Sequence, residues 1–191
     1  MSVGLALGMR ARILGACLGG LLVAPLLVAA PAQAIPSERR WRHDVAVAMH
    51  GAGPYLHRRL DRGGTRLALN LDIDNTALAT AYRRGQPVRR VLRFARHADA
   101  HGVTLLFNTA RLPQGRPEAR RDLRRAGYDV GAICVRRSRS VPLAVGKQRC
   151  RGRFRAQGYT IIANIGNRPT DFRGGGYGRA FRLPHYGRRL G

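Results

Sequence analysis

Four short apolar runs punctuate the chain: Leu67 to Leu71, Val103 to Phe107, Ala132 to Val135 and Tyr159 to Ile165. They are short, bounded by turn residues and too apolar to face water on one side, which predicts buried strands of a parallel sheet. Helical periodicity fills the gaps. Pro87 is expected to open a helix with Val88, Val91, Leu92, Ala95 and Ala98 as its apolar stripe, ended by Gly102. Arg116 to Ala126 predicts a second helix, stopped by Gly127, and Lys147 is expected to open a third that ends near Gly158. Upstream, Ser37 reads as the cap of a helix through Trp41, Val45, Val47 and Met49. Gly51 and Gly53-Pro54 interrupt it, and a short helix carries Tyr55, Leu56 and Leu60 to Gly63. Ala77 to Gln86 reads as a loop. The glycines at 174, 175, 176 and 178 lack the strand-to-helix setting of a nucleotide-binding loop and read as a surface turn before a last strand, Ala180 to Leu183. Strands alternating with helices in this way predict an α/β fold, a central parallel sheet built by right-handed crossovers. With 191 residues, 45% of them apolar, one well-buried domain is expected.

Residues 1–34 depart from this pattern. Arg10 and Arg12 precede an apolar stretch from Ile13 to Ala30, and Ala32-Gln33-Ala34 has the small-x-small form of a cleavage site, which reads as an export signal. A membrane anchor is disfavoured by Pro25, Pro31 and that site, and a lipid attachment at Cys17 by its position inside the apolar run. The expected organisation is therefore a signal peptide over 1–34, a helical segment over 35–65 packing on the core, and the α/β domain over 66–191, with a secreted product. Cys134 and Cys150 remain after cleavage and are compatible with one disulfide in an oxidising compartment. The formal charge of +25 implies an anionic substrate, partner or surface, with nucleic acid, anionic lipid and phosphate esters all open. Arg89, Arg90, Arg93 and Arg96 read as a solvated face, because helical amphipathicity accounts for them.

Chemistry collects at the strand ends. Asp72 and Asp74 follow the first run, one residue apart, at the edge of a sheet where open α/β folds bind ligands. Such a pair can bind a divalent cation, or divide into a nucleophile and an acid/base, or simply form a polar turn. Asn108, Thr109 and Arg111 follow the second run; Lys147, the only lysine among 35 Lys and Arg residues, precedes the fourth; and Asn167 and Asp171 follow it.

In that order, the clusters resemble the haloacid dehalogenase (HAD) superfamily of phosphatases, subfamily III. Asp72-Ile73-Asp74-Asn75-Thr76 matches its D-x-D-x-T signature, and Thr109, Lys147 and Gly166 to Asp171 fall where its second, third and fourth motifs stand. Arg116-Pro117-Glu118 and the tail from Gly174 to Pro184 look most like secreted acid phosphatases and plant vegetative storage proteins. The resemblance implies a Rossmann-like three-layer sandwich, hydrolysis of a phosphorylated small molecule, and Mg²⁺ as cofactor. It implies Asp72 as nucleophile, Asp74 as acid/base, Lys147 as charge-balancing catalytic group, and Thr109, Asn108 and Arg111 as substrate-binding groups. Asp72, Asp74, Asn167 and Asp171 are the implied metal-binding residues. The family often has Asp where Asn167 stands; lipin-type phosphatidate phosphatases have a similar Gly-Asn-Arg-x-x-Asp segment. Only 34 residues separate Asp74 from Thr109 and 37 separate Thr109 from Lys147, which leaves no room for a sizeable cap domain. The alternative reading is a weakly active or non-catalytic basic protein on the same fold, binding anionic polymer or lipid.

Overall fold

A computed structural model describes Met1, residues 34–187 and residues 189 and 190. The leader expected over 1–34 therefore lies, apart from its two end residues, outside the described residues. Five parallel strands form one sheet, β1 (Leu67–Leu71), β2 (Thr104–Thr109), β3 (Ala132–Val135), β4 (Thr160–Gly166) and β5 (Arg179–Arg182), in the order β3-β2-β1-β4-β5. Helices α1 (Glu38–Ala48), α2 (Ala52–Asp61), α3 (Arg89–Asp99), α4 (Arg116–Arg125) and α5 (Leu143–Ala156) flank it. This is the parallel α/β arrangement expected from the alternation of apolar runs, in the Rossmann-like form that the family resemblance implies.

The chain steps outward from β1 to β3, then returns over the sheet through α5 to place β4 on the other side of β1. The β1/β4 boundary is thus the topological switch point, where strand order reverses and a crevice opens beyond the strand ends. Residue alternation assigns the two faces. Leu69, Leu71, Leu105 and Phe107 join Trp41, Val45, Met49 and Leu56 and the buried stripes of α3 and α4 in the larger core. Ala68, Leu106, Cys134 and Ile161 pack with Cys150 and Phe154 of α5 on the opposite face. The Cys134–Cys150 disulfide, with a Cα separation of 5.7 Å, staples α5 to β3.

Three helix starts differ from expectation. Residues 87 and 88 are held extended, with Leu78 bridged to Pro87 and the Val88 amide donating to Ala77 O at 2.9 Å, so α3 begins at Arg89. In α2, left-handed Gly51 (φ 72°) caps the helix and Gly53-Pro54 sits inside its first turn, where proline is tolerated. Finally, α5 opens at Leu143 behind Pro142, so Lys147 lies in its second turn and not at its amino end.

Candidate active site

The carboxyl end of β1 turns sharply. The amide of Asp72 still bonds to Ile165 O of β4 at 2.9 Å, while Ala77 N and Leu78 N donate back to the carbonyls of Asp72 and Ile73. Asn75 makes the turn in a left-handed conformation (φ 57°), fixed on both sides: its Nδ2 donates to Leu190 O at 2.6 Å and its Oδ1 accepts from Ala81 N at 2.8 Å. Asp72 consequently points into the crevice 7% exposed, with Thr76 Oγ1 donating to its Oδ2 at 3.2 Å.

Lys147 closes the inner half of the site. Its Nζ, 5% exposed, lies 2.5 Å from Asp72 Oδ1, 2.8 Å from Asp171 Oδ1 and 2.6 Å from Asn108 O. The contacts with Asp72 and Asn108 are hydrogen bonds, and the contact with Asp171 is an ion pair. Burial pulls against the charge of Lys147, but Asp72 and Asp171 outweigh it and raise its pKa. Burial also pushes the Asp72 carboxyl up, to about 6, with Lys147 opposing and Asp171 reinforcing the shift. Two buried carboxylates share one ammonium, so this cluster carries an uncompensated negative charge.

Asp74 occupies the outer half, lining a cleft of about 400 Å³ together with Leu78, Thr80, Arg84 and Arg111. Arg111 grips its carboxylate through two bonds, Nε to Oδ2 at 3.1 Å and Nη2 to Oδ1 at 2.8 Å, and Thr80 Oγ1 donates to Oδ1 at 2.9 Å. Burial raises the Asp74 pKa, but Arg111, Thr80 and Lys147 outweigh it and hold the group below the ordinary carboxylate value.

The other expected site residues are divided between the crevice and its supports. Thr109, 2% exposed, accepts the Arg111 amide at 3.2 Å, which leaves its O–H proton free to donate. Of the two further residues expected to bind substrate, Arg111 pairs with Asp74, and Asn108 donates through Nδ2 to Lys147 O at 2.9 Å while its buried Oδ1 has no partner. Asp171, expected at the metal, spends one oxygen on Lys147 and accepts the Arg168 amide on the other at 2.9 Å. Asn167, at the carboxyl end of β4 and 2% exposed, has neither its amide oxygen nor its amide nitrogen partnered.

Among the described residues no group of three or more His, Cys, Asp and Glu is placed to hold a metal ion. The residues at the switch point nonetheless fit Mg²⁺, because hard cations take carboxylate, amide and backbone oxygens. Asp72 and the orphaned Asn167 amide stand on adjacent strand ends, and the Asp72/Lys147/Asp171 cluster lacks one positive charge.

Three supports escape sequence reasoning. Gly166 must lack a side chain, since a Cβ there would lie 2.4 Å from Asp171 Oδ2 and 2.6 Å from its Cβ. Asn70 and Asn164 break the apolar runs of β1 and β4 and bond to each other in the core, and Asn164 Nδ2 donates to Asp171 O at 3.0 Å. Arg151, one helical turn beyond Lys147 and 1% exposed, donates to the carbonyls of Asp171 (2.7 Å), Gly175 (2.8 Å) and Arg173. It is a buried guanidinium satisfied by backbone oxygens, clamping the loop that carries Asp171. Arg151→Met should cost about 1–3 kcal/mol of stability by denaturant titration, and Arg151→Lys less, since losing a buried donor strands its acceptors.

A family model described as HAD superfamily, subfamily IIIB (acid phosphatase) matches residues 80–189, more than half of the chain. The match takes in Thr109, Lys147, Asn167 and Asp171 and begins beyond Asp72 and Asp74. No curated protein matches the chain.

Proposed function

The chain belongs to the HAD superfamily, subfamily IIIB, whose acid phosphatases are phosphoric monoester hydrolases, and from that premise we propose that it works through an aspartyl-phosphate on Asp72, with Mg²⁺, outside the cytoplasm. The observation that carries this reading is the Asp72–Lys147–Asp171 cluster at the switch point, with Asp74 one residue away on the cleft.

A carboxylate oxygen of Asp72 attacks phosphorus, and the bond from phosphorus to the leaving alcohol oxygen breaks. Asp74 delivers its proton to that oxygen, then removes one from the water that attacks the aspartyl-phosphate, releasing inorganic phosphate and restoring Asp72. Thr109 donates to a phosphoryl oxygen, and Lys147 offsets charge gathered between Asp72 and the phosphoryl group. Asp72, the Asp74 carbonyl and the Asn167 amide oxygen would hold Mg²⁺, which when bound would supply positive charge to the phosphoryl oxygens and favour the ionised form of Asp72. Asp171 supports this set by holding Lys147. Asn167 brings an oxygen without a negative charge, so Asn167→Asp should lower the Mg²⁺ concentration that gives half-maximal activity.

The Arg111–Asp74 pair sets an expected pH dependence. Asp74 must be protonated to act as the acid, and Arg111 keeps its pKa low, so the protonated fraction grows as pH falls. Arg111→Gln removes that hold and raises the Asp74 pKa. The alkaline limb of kcat, measured with saturating Mg²⁺, should therefore move to higher pH; an unmoved limb would separate Asp74 from the proton transfer.

Export is supported by the leader-like residues 1–34 and by the Cys134–Cys150 disulfide, since such bonds persist in oxidising compartments. No helix among the described residues is long and apolar enough to cross a membrane. The test of this reading is hydrolysis of p-nitrophenyl phosphate by protein beginning at Ile35. Activity should disappear with a chelator and return with Mg²⁺; hydrolysis indifferent to both would remove the metal from the proposal.

A further inference from the structure

A second cavity of about 210 Å³ lies against α1, the amino end of α3 and the loop joining β1 to α3. It shares no lining residue with the cleft that holds Asp74: Ala79, Arg83, Gln86 and Pro87 of that loop line this cavity, and Leu78, Thr80, Arg84 and Gly85 line the other. Trp41, Val45 and Val88, all buried core residues, give it an apolar surface.

Its rim is cationic. Arg42 and Arg83 are neutralised in part by Glu38, at 2.5 and 2.9 Å. Arg89, Arg90 and Arg93 line the cavity from the exposed face of α3 that the sequence reading expects, and their side chains make no hydrogen bond or ion pair among the described residues. Arg89 and Arg90 sit in the first turn of α3, whose cap, Val88, offers no side-chain bond, and no acid occupies that turn. The first amides of a helix lack intrahelical partners and carry partial positive charge, so cations there are unfavourable and an anion is favourable. Trp41, which lines the same cavity, has its indole N–H buried and unpartnered, where an indole N–H ordinarily finds an acceptor. An exposed cluster of guanidiniums, a bare helix end and an orphaned indole N–H nearby together favour an oxyanion.

The apolar surface defines the rest of the ligand. An adjoining cavity of about 450 Å³ shares Arg90 and Arg93 and passes over Met49, Ala52 and Phe94, which are buried. A free phosphate or a polyanion would leave these surfaces unused. A membrane face is also a poor match, because among the described residues the only exposed large hydrophobics besides Met1 are Ile35 and Val47. We propose that this cavity pair binds a single-chain anionic amphiphile, its head group among Arg89, Arg90, Arg93 and the Trp41 N–H and its alkyl chain along Met49 and Phe94.

Trp41 is the only tryptophan in the chain, so its fluorescence reads the cavity directly. Decanoate, titrated below its micellar concentration and followed in parallel by calorimetry, should bind saturably. Decanol, which has the chain without the charge, and acetate, which has the charge without the chain, should each bind at least about tenfold more weakly, since both halves of the ligand contribute. Arg90→Gln combined with Arg93→Gln should weaken decanoate by at least about tenfold, the scale of a lost charge-assisted contact. Asp72→Asn should bind decanoate like the wild type. Equal binding of acetate and decanoate, an unaffected double variant, dependence on Asp72, or no heat and no fluorescence change would each overturn the assignment.

Discussion

Replacing Lys147 with arginine is expected to lower kcat/KM at least about 100-fold, a loss of ~2.7 kcal/mol of transition-state stabilisation, with the net charge unchanged. The ammonium sits among Asp72 Oδ1, Asp171 Oδ1 and Asn108 O, all within 2.8 Å, in a space 5% open to solvent. A compact three-donor point charge suits three converging oxygens; a planar guanidinium is larger and prefers a two-pronged partner. Helix-end amides do not share this duty, because α5 begins one turn earlier. Lys147→Met should be worse for the fold as well, by about 3–5 kcal/mol, because two buried carboxylates would then face each other without a cation. Arg149→Lys, on the exposed face of the same helix, is the control and should be nearly silent. Wild-type kinetics in Lys147→Arg at an unchanged melting temperature would take Lys147 out of the chemistry.

Asp72→Asn should reduce turnover by at least about a thousandfold, the order of loss when a covalent nucleophile is deleted from a site whose binding groups remain. The amide cannot attack phosphorus, yet it has nearly the same size and leaves Lys147 paired with Asp171. Burial already disfavours the Asp72 charge, so a neutral side chain there is tolerated. Steady-state kinetics with p-nitrophenyl phosphate, paired with thermal melts, separate the two effects. Lost activity with a matched or raised melting temperature is expected; a collapse of both would mean that Asp72 holds the fold and would leave its role as nucleophile unsupported.

The strands were legible because a doubly covered parallel sheet needs uninterrupted apolar runs, and polar residues follow where those runs end. Asp72, Thr109 and Asn167 were found in that way, and Lys147 by its uniqueness among arginines. Arg151 was hidden by the same composition: one buried guanidinium looks like the exposed ones until its three carbonyl acceptors are in place, and its only mark in the sequence is the four-residue spacing from Lys147. The Arg111–Asp74 pair joins residues far apart in sequence, so their mutual commitment could not be read from it. Helix starts were misplaced where proline had two uses. Pro87 extends a bridge to Leu78, whereas Pro142 begins a helix that Gly146 does not break. Asn70 and Asn164 left a readable trace, a polar residue inside an apolar strand, but only the register that pairs them shows that they support Asp171.

Brief turnover of an aryl phosphate with Mg²⁺, acid quench and peptide mass spectrometry would locate the covalent intermediate. One phosphoryl group on Asp72, absent from Asp74 and absent throughout the Asp72→Asn protein, is the predicted result. A phosphoryl group carried by any other residue, or hydrolysis that proceeds undiminished in Asp72→Asn, would contradict it.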